Sequence, residues 1–352
     1  MIRKIYSALS SVKLALALLI VILVSCIAGV TIFRGDRSWA LVFNTLWFNG
    51  LLVLLVLNVA FCFFPRMWGR KLTLVSFGMI LFHLSFVAIL LGVVYNSFFY
   101  FRGVIRLTEG ETLLSGDPES YDAIDKGRFF DFAKLKGETT LIKMHRGYTV
   151  NGQDKQVAYE VAVGGGASKK QSIIYATHKL ENDGFGYFRD REGYSILVIL
   201  YDKREKELYG AYVPLQSLKQ KDDSYLYITG TKAGPESLPF PQNPATPFFA
   251  LQAAYRPSAL KEREREGEAS FQIRQLREEH AGPEAKALAE GTAKIGGKVK
   301  VGEYYLSPGE VRYWVAMSVR YEPGKPIVLA SLWAGLGGMI LTFAGRMTRG
   351  RA

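Results

Sequence analysis

The sequence predicts a membrane protein: an α-helical four-span anchor with an extracytoplasmic, mainly-β domain inserted between the third and fourth helices. Three observations predict it. Four uncharged runs are each long enough to cross hydrocarbon, three clusters of cations flank them with no acid alongside, and residues 102–325 are built of short alternating segments rich in Tyr, Val and Ile. The balance of 49% hydrophobic to 22% charged residues in 352 excludes disordered and collagen-like chains. Two cysteines exclude a disulfide-dense scaffold and a four-cysteine metal site.

The first run, residues 14–33, carries no charge and at ~1.5 Å per residue spans the ~30 Å of a bilayer core. Uncharged runs over 38–65, 72–101 and 326–345 follow, the middle two long enough to tilt or reach the interfaces. Helices are therefore expected at about 14–33, 43–64, 73–98 and 326–345. The chain divides into a membrane domain (1–101), a β-rich domain (102–325), and a last helix with its tail (326–352). A competing reading of the first run is a cleaved lipoprotein signal, because Leu23-Val-Ser-Cys26 has the lipidation pattern. A lipoprotein turns polar after its cysteine, whereas residues 27–33 stay apolar, so a retained helix is expected, with Cys26 a small packing residue.

Orientation follows from the flanks, since Lys and Arg are retained on the cytoplasmic side. Arg3, Lys4 and Lys13 precede the first run; Arg66, Arg70 and Lys71 separate the second and third; Arg346, Arg349 and Arg351 follow the fourth. They account for most of the net charge of +12, with Arg34, Asp36 and Arg37 nearly balanced on the other side. The basicity is a topology signal and not a nucleic-acid footprint. It places both termini inside and a nearly neutral domain outside, with membrane lipid the partner of the spans.

Within that domain, strands are expected at 194–201, 208–215, 224–229, 247–255, 271–276, 298–306 and 311–321, forming a sandwich or open barrel. Gly-Gly-Gly at 164–166 and Asp183-Gly184 read as turns. Five prolines in 230–247 exclude a central strand there, residues 259–268 read as a charged surface helix, and 278–297 as a flexible loop.

Enzyme motifs are absent. The sequence holds no G-x-x-x-x-G-K-[ST] loop, G-x-S-x-G elbow or H-E-x-x-H pair. Cys26 and Cys62 are expected at different membrane depths, so thiol chemistry is left to a separate thiol-redox protein. One of the four histidines, His83, falls inside the third run at mid-bilayer depth, beside Met79, Ile80, Phe86 and Val87 on the same helical side. An ionisable group there is costly. Neutral imidazole is a metal and haem ligand, and that apolar wall would suit a porphyrin. A histidine merely hydrogen-bonded to a neighbouring helix fits the residues equally well. His145, His178 and His280 lie in polar sequence without ligand-like spacing and read as surface residues.

The pattern resembles the ResB family, the CcsB component of the system II pathway of cytochrome c biogenesis. The residues that carry it are Ser11-Val-Lys-Leu-Ala-Leu-Ala-Leu-Leu19 with Ser25 and Gly29-Val-Thr31, and Trp47-Phe48 through Leu57-Asn58 to Cys62 and Arg66. Phe82-His-Leu84 leading to Leu90-Leu-Gly92, Leu107-Thr-Glu-Gly-Glu111, and Tyr321-Glu-Pro-Gly-Lys-Pro326 complete it. The resemblance implies a membrane subunit that, with a ResC or CcsA partner, carries haem b outward and presents it to apocytochrome c. It implies a non-catalytic part of a holocytochrome c synthase in the bacterial inner membrane, with His83 as a haem axial ligand. The tryptophans are scattered at 39, 47, 68, 314 and 333, without the W-G-x-x-W-x-W-D segment of haem-handling partners, so the other ligands must come from the partner chain. No C-x-x-C-H is present. The alternative is a membrane-anchored structural or receptor protein with a packed His83. Small-residue stripes at Ser25 and Gly29, and at Ala330, Ala334 and Gly338, suit helix contacts with a partner or within the chain.

Overall fold

The computed structural model describes residues 6, 9–33, 39–43, 45–67, 73–219, 225–231, 234–241, 247–258, 263–274 and 287–349. Several of the topology cations (Arg3, Lys4, Arg34, Arg37, Arg70, Lys71 and Arg351), with Asp36 and His280, lie outside the described residues. The chain forms two units, one of residues 1–102, 124–131 and 320–352, the other of residues 103–123 and 132–319.

Among the described residues the first unit holds four long helices, α1 (Val12–Thr31), α2 (Leu46–Met67), α3 (Leu74–Phe99) and α4 (Lys325–Arg349). Three are long and apolar enough to cross a membrane: α1, α3 and α4. A mainly-β domain follows the second of these. In α2 the apolar stretch is Leu46–Cys62, whose 17 residues cover only ~25 Å at ~1.5 Å each. The sequence run 38–65 overstated it, because its first part is a separate π-helical turn, Trp39–Phe43. That turn packs on α1 at Gly29, where a Cβ would lie 2.8 Å from the Phe43 ring. Cys26 packs beside it against Val42, Phe48 and Leu52, and both cysteines are free thiols. Asn58 of α2 pins the entry to α1, its amide donating to the carbonyls of Leu9 (2.5 Å) and Ser11 (3.1 Å).

α3 begins at a capping box in which Thr73 and Ser76 satisfy each other's backbone amides. Its buried residues are Gly78, Ser85 and Gly92, seven apart. They meet a complementary stripe on α4. A Cβ at Gly78 would lie 2.6 Å from the Thr342 amide nitrogen, one at Gly335 2.5 Å from Ser85 Oγ, and one at Gly92 2.9 Å from Val328. The buried stripe of α4 is thus Ser331, Gly335, Gly338 and onward to Gly345, and Ala330 is exposed. Small residues serve contact within the chain here, at the near-heptad period of a close antiparallel pair.

The second unit is β-rich. A seven-stranded sheet is built around the long strands Phe185–Tyr201 and Tyr304–Tyr321, a six-stranded sheet around Phe249–Arg256 and Glu268–Arg274, and a four-stranded sheet around Glu138–Arg146 and Val157–Gly164. All the pairings given by register are antiparallel. Alternation sets the faces: Phe249–Arg256 buries every second side chain, with Leu251, Ala253 and Tyr255 inward. Rings from the two larger sheets meet, Tyr194 lying edge-on to Tyr227 at 4.5 Å and to Tyr255 at 5.3 Å. The buried Trp314 donates its indole N–H to the Leu215 carbonyl at 2.8 Å. Asp183-Gly184 forms the expected turn, with positive φ at both residues.

Two expectations for this unit are corrected. Residues 263–266, expected to be helical, form a turn that leads into the strand Glu268–Arg274. The expected loop 278–297 contains the strand Ala287–Lys294, paired along its length with Glu268–Arg274. In both, tertiary hydrogen bonding outweighs a composition rich in charges and small residues. Among its described residues the proline-rich stretch contributes the two-residue strands Gly230–Thr231 and Gly234–Pro235, paired with each other, and the short strand Leu238–Phe240 beside Phe249–Arg256.

Candidate functional site

His83 lies nine residues into α3, ~14 Å from its start at ~1.5 Å per residue and three to four residues short of the middle of the helix. The close approach of α3 and α4 leaves a groove of about 300 Å³ along one side of their seam. Met79, Phe82 and His83 of α3 line it, facing Met339, Thr342, Phe343 and Arg346 of α4. Of the wall expected from periodicity, only Met79 is there. Phe86 is exposed, and Val87 packs toward Leu18, Leu55 and Val59. Counting along one helix finds its own neighbours three and four residues away; the opposite wall comes from α4.

The His83 ring is held by its own helix. Nδ1 lies 2.7 Å from the Met79 carbonyl, an atom that only accepts, so Nδ1 carries the proton and donates. In the neutral imidazole the lone pair is then on Nε2, the nitrogen that a metal would take. The Phe82 ring stands edge-on to the imidazole at 5.4 Å. Arg346, read in the sequence as a topology cation, adds a guanidinium to the same groove. The arrangement offers one imidazole nitrogen, two thioethers, two aromatic walls and one cation.

The other described histidines make local contacts in the β-rich unit. His145 Nε2 is 3.0 Å from Glu160 Oε2, and this hydrogen bond, with one from Gln171, holds the Glu160 carboxyl below the usual carboxylate range. His178 is exposed and stacks on Tyr175 at 5.2 Å. Tyr148 bridges the two, 6.0 Å from His145 and 5.9 Å from Tyr175, so histidines unrelated by spacing share one ladder of rings. Among the described residues no three His, Cys, Asp or Glu side chains are grouped to hold a metal ion.

A second concentration of polar groups, invisible in the sequence, surrounds the turn at residues 263–266. Glu264 Oε2 accepts from Arg146 (2.7 Å), Tyr194 (2.9 Å) and Tyr313 (3.1 Å), and the Glu264 carbonyl accepts from Tyr255 (2.5 Å). Next to it, Arg265 donates to Glu109 at 2.8 Å and lies over the Tyr313 ring. Burial drives the Tyr194 and Tyr313 phenols upward and pushes Tyr255 up to about 12. Burial opposes the charge on Arg146, but Tyr194, Tyr313 and Glu264 outweigh it and raise its pKa. The Leu107–Glu111 segment joins this network as a turn. Gly110 has φ +87°, Glu109 accepts from the Met144 amide at 2.9 Å, and Glu111 accepts from the Thr108 amide at 2.7 Å. Each carboxylate is occupied in holding backbone or guanidinium, which makes the network a fastening of strands and not a reactive centre.

Beside it a cleft of about 750 Å³ is lined by Arg106, Arg312 and several acids. Both arginines are paired, Arg106 with Asp122 at 3.0 Å and Arg312 with Glu310 at 2.7 Å, and acids outnumber them along its walls. His83 in its groove is therefore the candidate site. No protein-family model matches the chain, and no curated protein matches it.

Proposed function

We propose that this chain is a ResB-type membrane subunit of a system II cytochrome c biogenesis complex, carrying haem b outward and presenting it for attachment to apocytochrome c. In this reading α2 also crosses the membrane, which gives four spans, with both termini cytoplasmic and the β-rich domain extracytoplasmic at a bacterial inner membrane. The observation that carries the proposal is the His83 imidazole, held through Nδ1 by the Met79 carbonyl at 2.7 Å, in a largely apolar groove between two membrane-compatible helices.

The residues present fit haem. The imidazole offers Nε2 as an axial ligand, Phe82, Phe343, Met79 and Met339 offer aromatic and thioether walls, and Arg346 offers a partner for a carboxylate. Haem, when bound, supplies the iron centre that becomes part of the cytochrome. His83 would hold it through Nε2, and Arg346 would pair with one of its carboxylates. A ResC- or CcsA-type partner supplies the remaining ligands, and a separate thiol-redox protein keeps the apocytochrome cysteines reduced.

Co-expression tests this directly. The chain purified alone is expected to retain little haem, and the chain purified with a ResC- or CcsA-type partner to show a haem absorbance band. Absence of haem from that complex, with both chains intact, contradicts the proposal and favours a membrane-anchored structural or receptor protein.

A further inference from the structure

We propose that the turn at residues 124–131 is a phospholipid-binding foot, in which Phe129 enters the acyl boundary and Arg128 holds a lipid phosphate. The inference is independent of the haem reading. The turn is fastened to the end of α3: the Gly127 amide donates to the Tyr100 carbonyl at 2.8 Å, and the Phe129 amide to the Phe98 carbonyl at 2.9 Å. These bonds satisfy carbonyls that a helix terminus leaves without intrahelical partners. Gly127 is required for the approach, since a Cβ there would lie 2.4 Å from the Phe98 carbonyl group. Tyr100 adds a 2.5 Å bond to Asp125, and Phe130 stacks on Phe101 at 4.7 Å.

The position of the turn follows from the length of the helix. The 26 residues of α3 extend ~39 Å at ~1.5 Å each, more than the ~30 Å hydrocarbon core, so its ends reach the headgroups. There Phe129 is 56% exposed while its ring touches those of Phe98 and Phe99 at 5.5 and 5.9 Å. Arg128 beside it is exposed. An exposed phenyl on a firmly held turn is unfavourable in water and favourable at a headgroup boundary, where aromatic and basic side chains anchor membrane proteins. The surface adjoins Phe98 and Phe99 at the end of α3; of the charges on the turn, Asp125 is bonded to Tyr100, and the exposed Arg128 next to Phe129 is placed to meet an anionic headgroup.

The test uses the full chain in nanodiscs of phosphatidylcholine with phosphatidylglycerol. Phe129→Cys, labelled with an environment-sensitive fluorophore in a Cys26→Ser, Cys62→Ala background, is expected to emit at short wavelength. Nitroxides placed shallowly on the lipid chains should quench it, and aqueous iodide should not. In the native-cysteine background, Arg128→Gln is expected to lower photo-crosslinking of a phosphatidylglycerol probe to this turn by roughly fivefold. Emission at the aqueous wavelength with quenching by iodide overturns the proposal, as does crosslinking unchanged by Arg128→Gln. The crosslinking decides the matter if the cysteine-replaced chain fails to accumulate.

Discussion

The α3–α4 seam and the centre of the β-rich domain hold their elements together by opposite means. At the seam, glycines and serines let backbones touch, as where Gly78 meets Gly338 and Thr342. In the β-rich domain, strands are fastened by Glu264, Arg146, Arg265 and the tyrosines Tyr194, Tyr255 and Tyr313, each of whose hydroxyls finds a partner. The solvent accounts for the difference. Lipid gives no hydrophobic reward for bringing two apolar helices together, so closeness of fit decides. A domain folded from water gains by burying large rings, provided their polar atoms remain bonded.

Filling the seam should have the largest effect. A Cβ at Gly338 would lie 2.7 Å from both the Gly78 carbonyl oxygen and the Phe82 amide nitrogen, backbone atoms that cannot turn aside. Gly338→Leu is expected to cost about 3 kcal/mol or to abolish accumulation in the membrane, read by immunoblot and by thermal denaturation in detergent. Gly337→Ala, where a Cβ meets nothing within 4 Å, should be neutral. Equal behaviour of the two would mean that closeness does not hold the pair.

Removing the acceptor at the centre of the other region should have the next largest effect. Glu264→Ala strips Arg146, Tyr194 and Tyr313 of a shared partner, at an expected cost of about 2 kcal/mol, moderated because Arg146 is 38% exposed. Circular dichroism melting in the strand band reads this, with the α-helical signal serving as an internal control.

Alkali should also separate the regions. Tyr255 ionises near 12 in the folded chain against an ordinary value of 10, mainly because it is buried, and Tyr194 is raised in the same direction. A raised pKa means that folding favours the protonated phenol. Its contribution is therefore complete below pH 10 and is lost as pH climbs through about 12. The β-rich domain should melt at falling temperature across that window, and the change should be smaller in Tyr255→Phe.

The unequal legibility of these regions in the sequence has the same origin. A span must be apolar over ~20 consecutive residues, so hydropathy locates α1, α3 and α4 to within a few residues. It overextends the run containing α2, since a π-helical turn is equally apolar. Strands after residue 193 alternate clearly, but Glu138–Arg146 carries a bulge between Leu141 and Lys143 that breaks the pattern, and Ala287–Lys294 is too rich in small residues to declare itself. His83 stands out by the cost of its depth alone. The α4 half of its groove, and the partners of Glu264 at 118, 70 and 49 residues' separation, leave no local signal.

Asn58→Leu should give the smallest change. It removes two bonds to the entry of α1 but also the buried Oδ1, which has no partner among the described residues. The net cost is expected to stay under about 1 kcal/mol, measured as the shift in melting of the helical signal.

Iron ligation and mere packing by His83 are separated by the complex carrying His83→Ala. Truncation leaves a gap where an imidazole stood, so added imidazole is able to take the vacated position. If His83 ligates iron, the chain is expected to accumulate normally, the haem absorbance band and cytochrome c maturation to be lost, and both to return in part with exogenous imidazole. An unchanged haem spectrum with normal maturation in His83→Ala would contradict ligation.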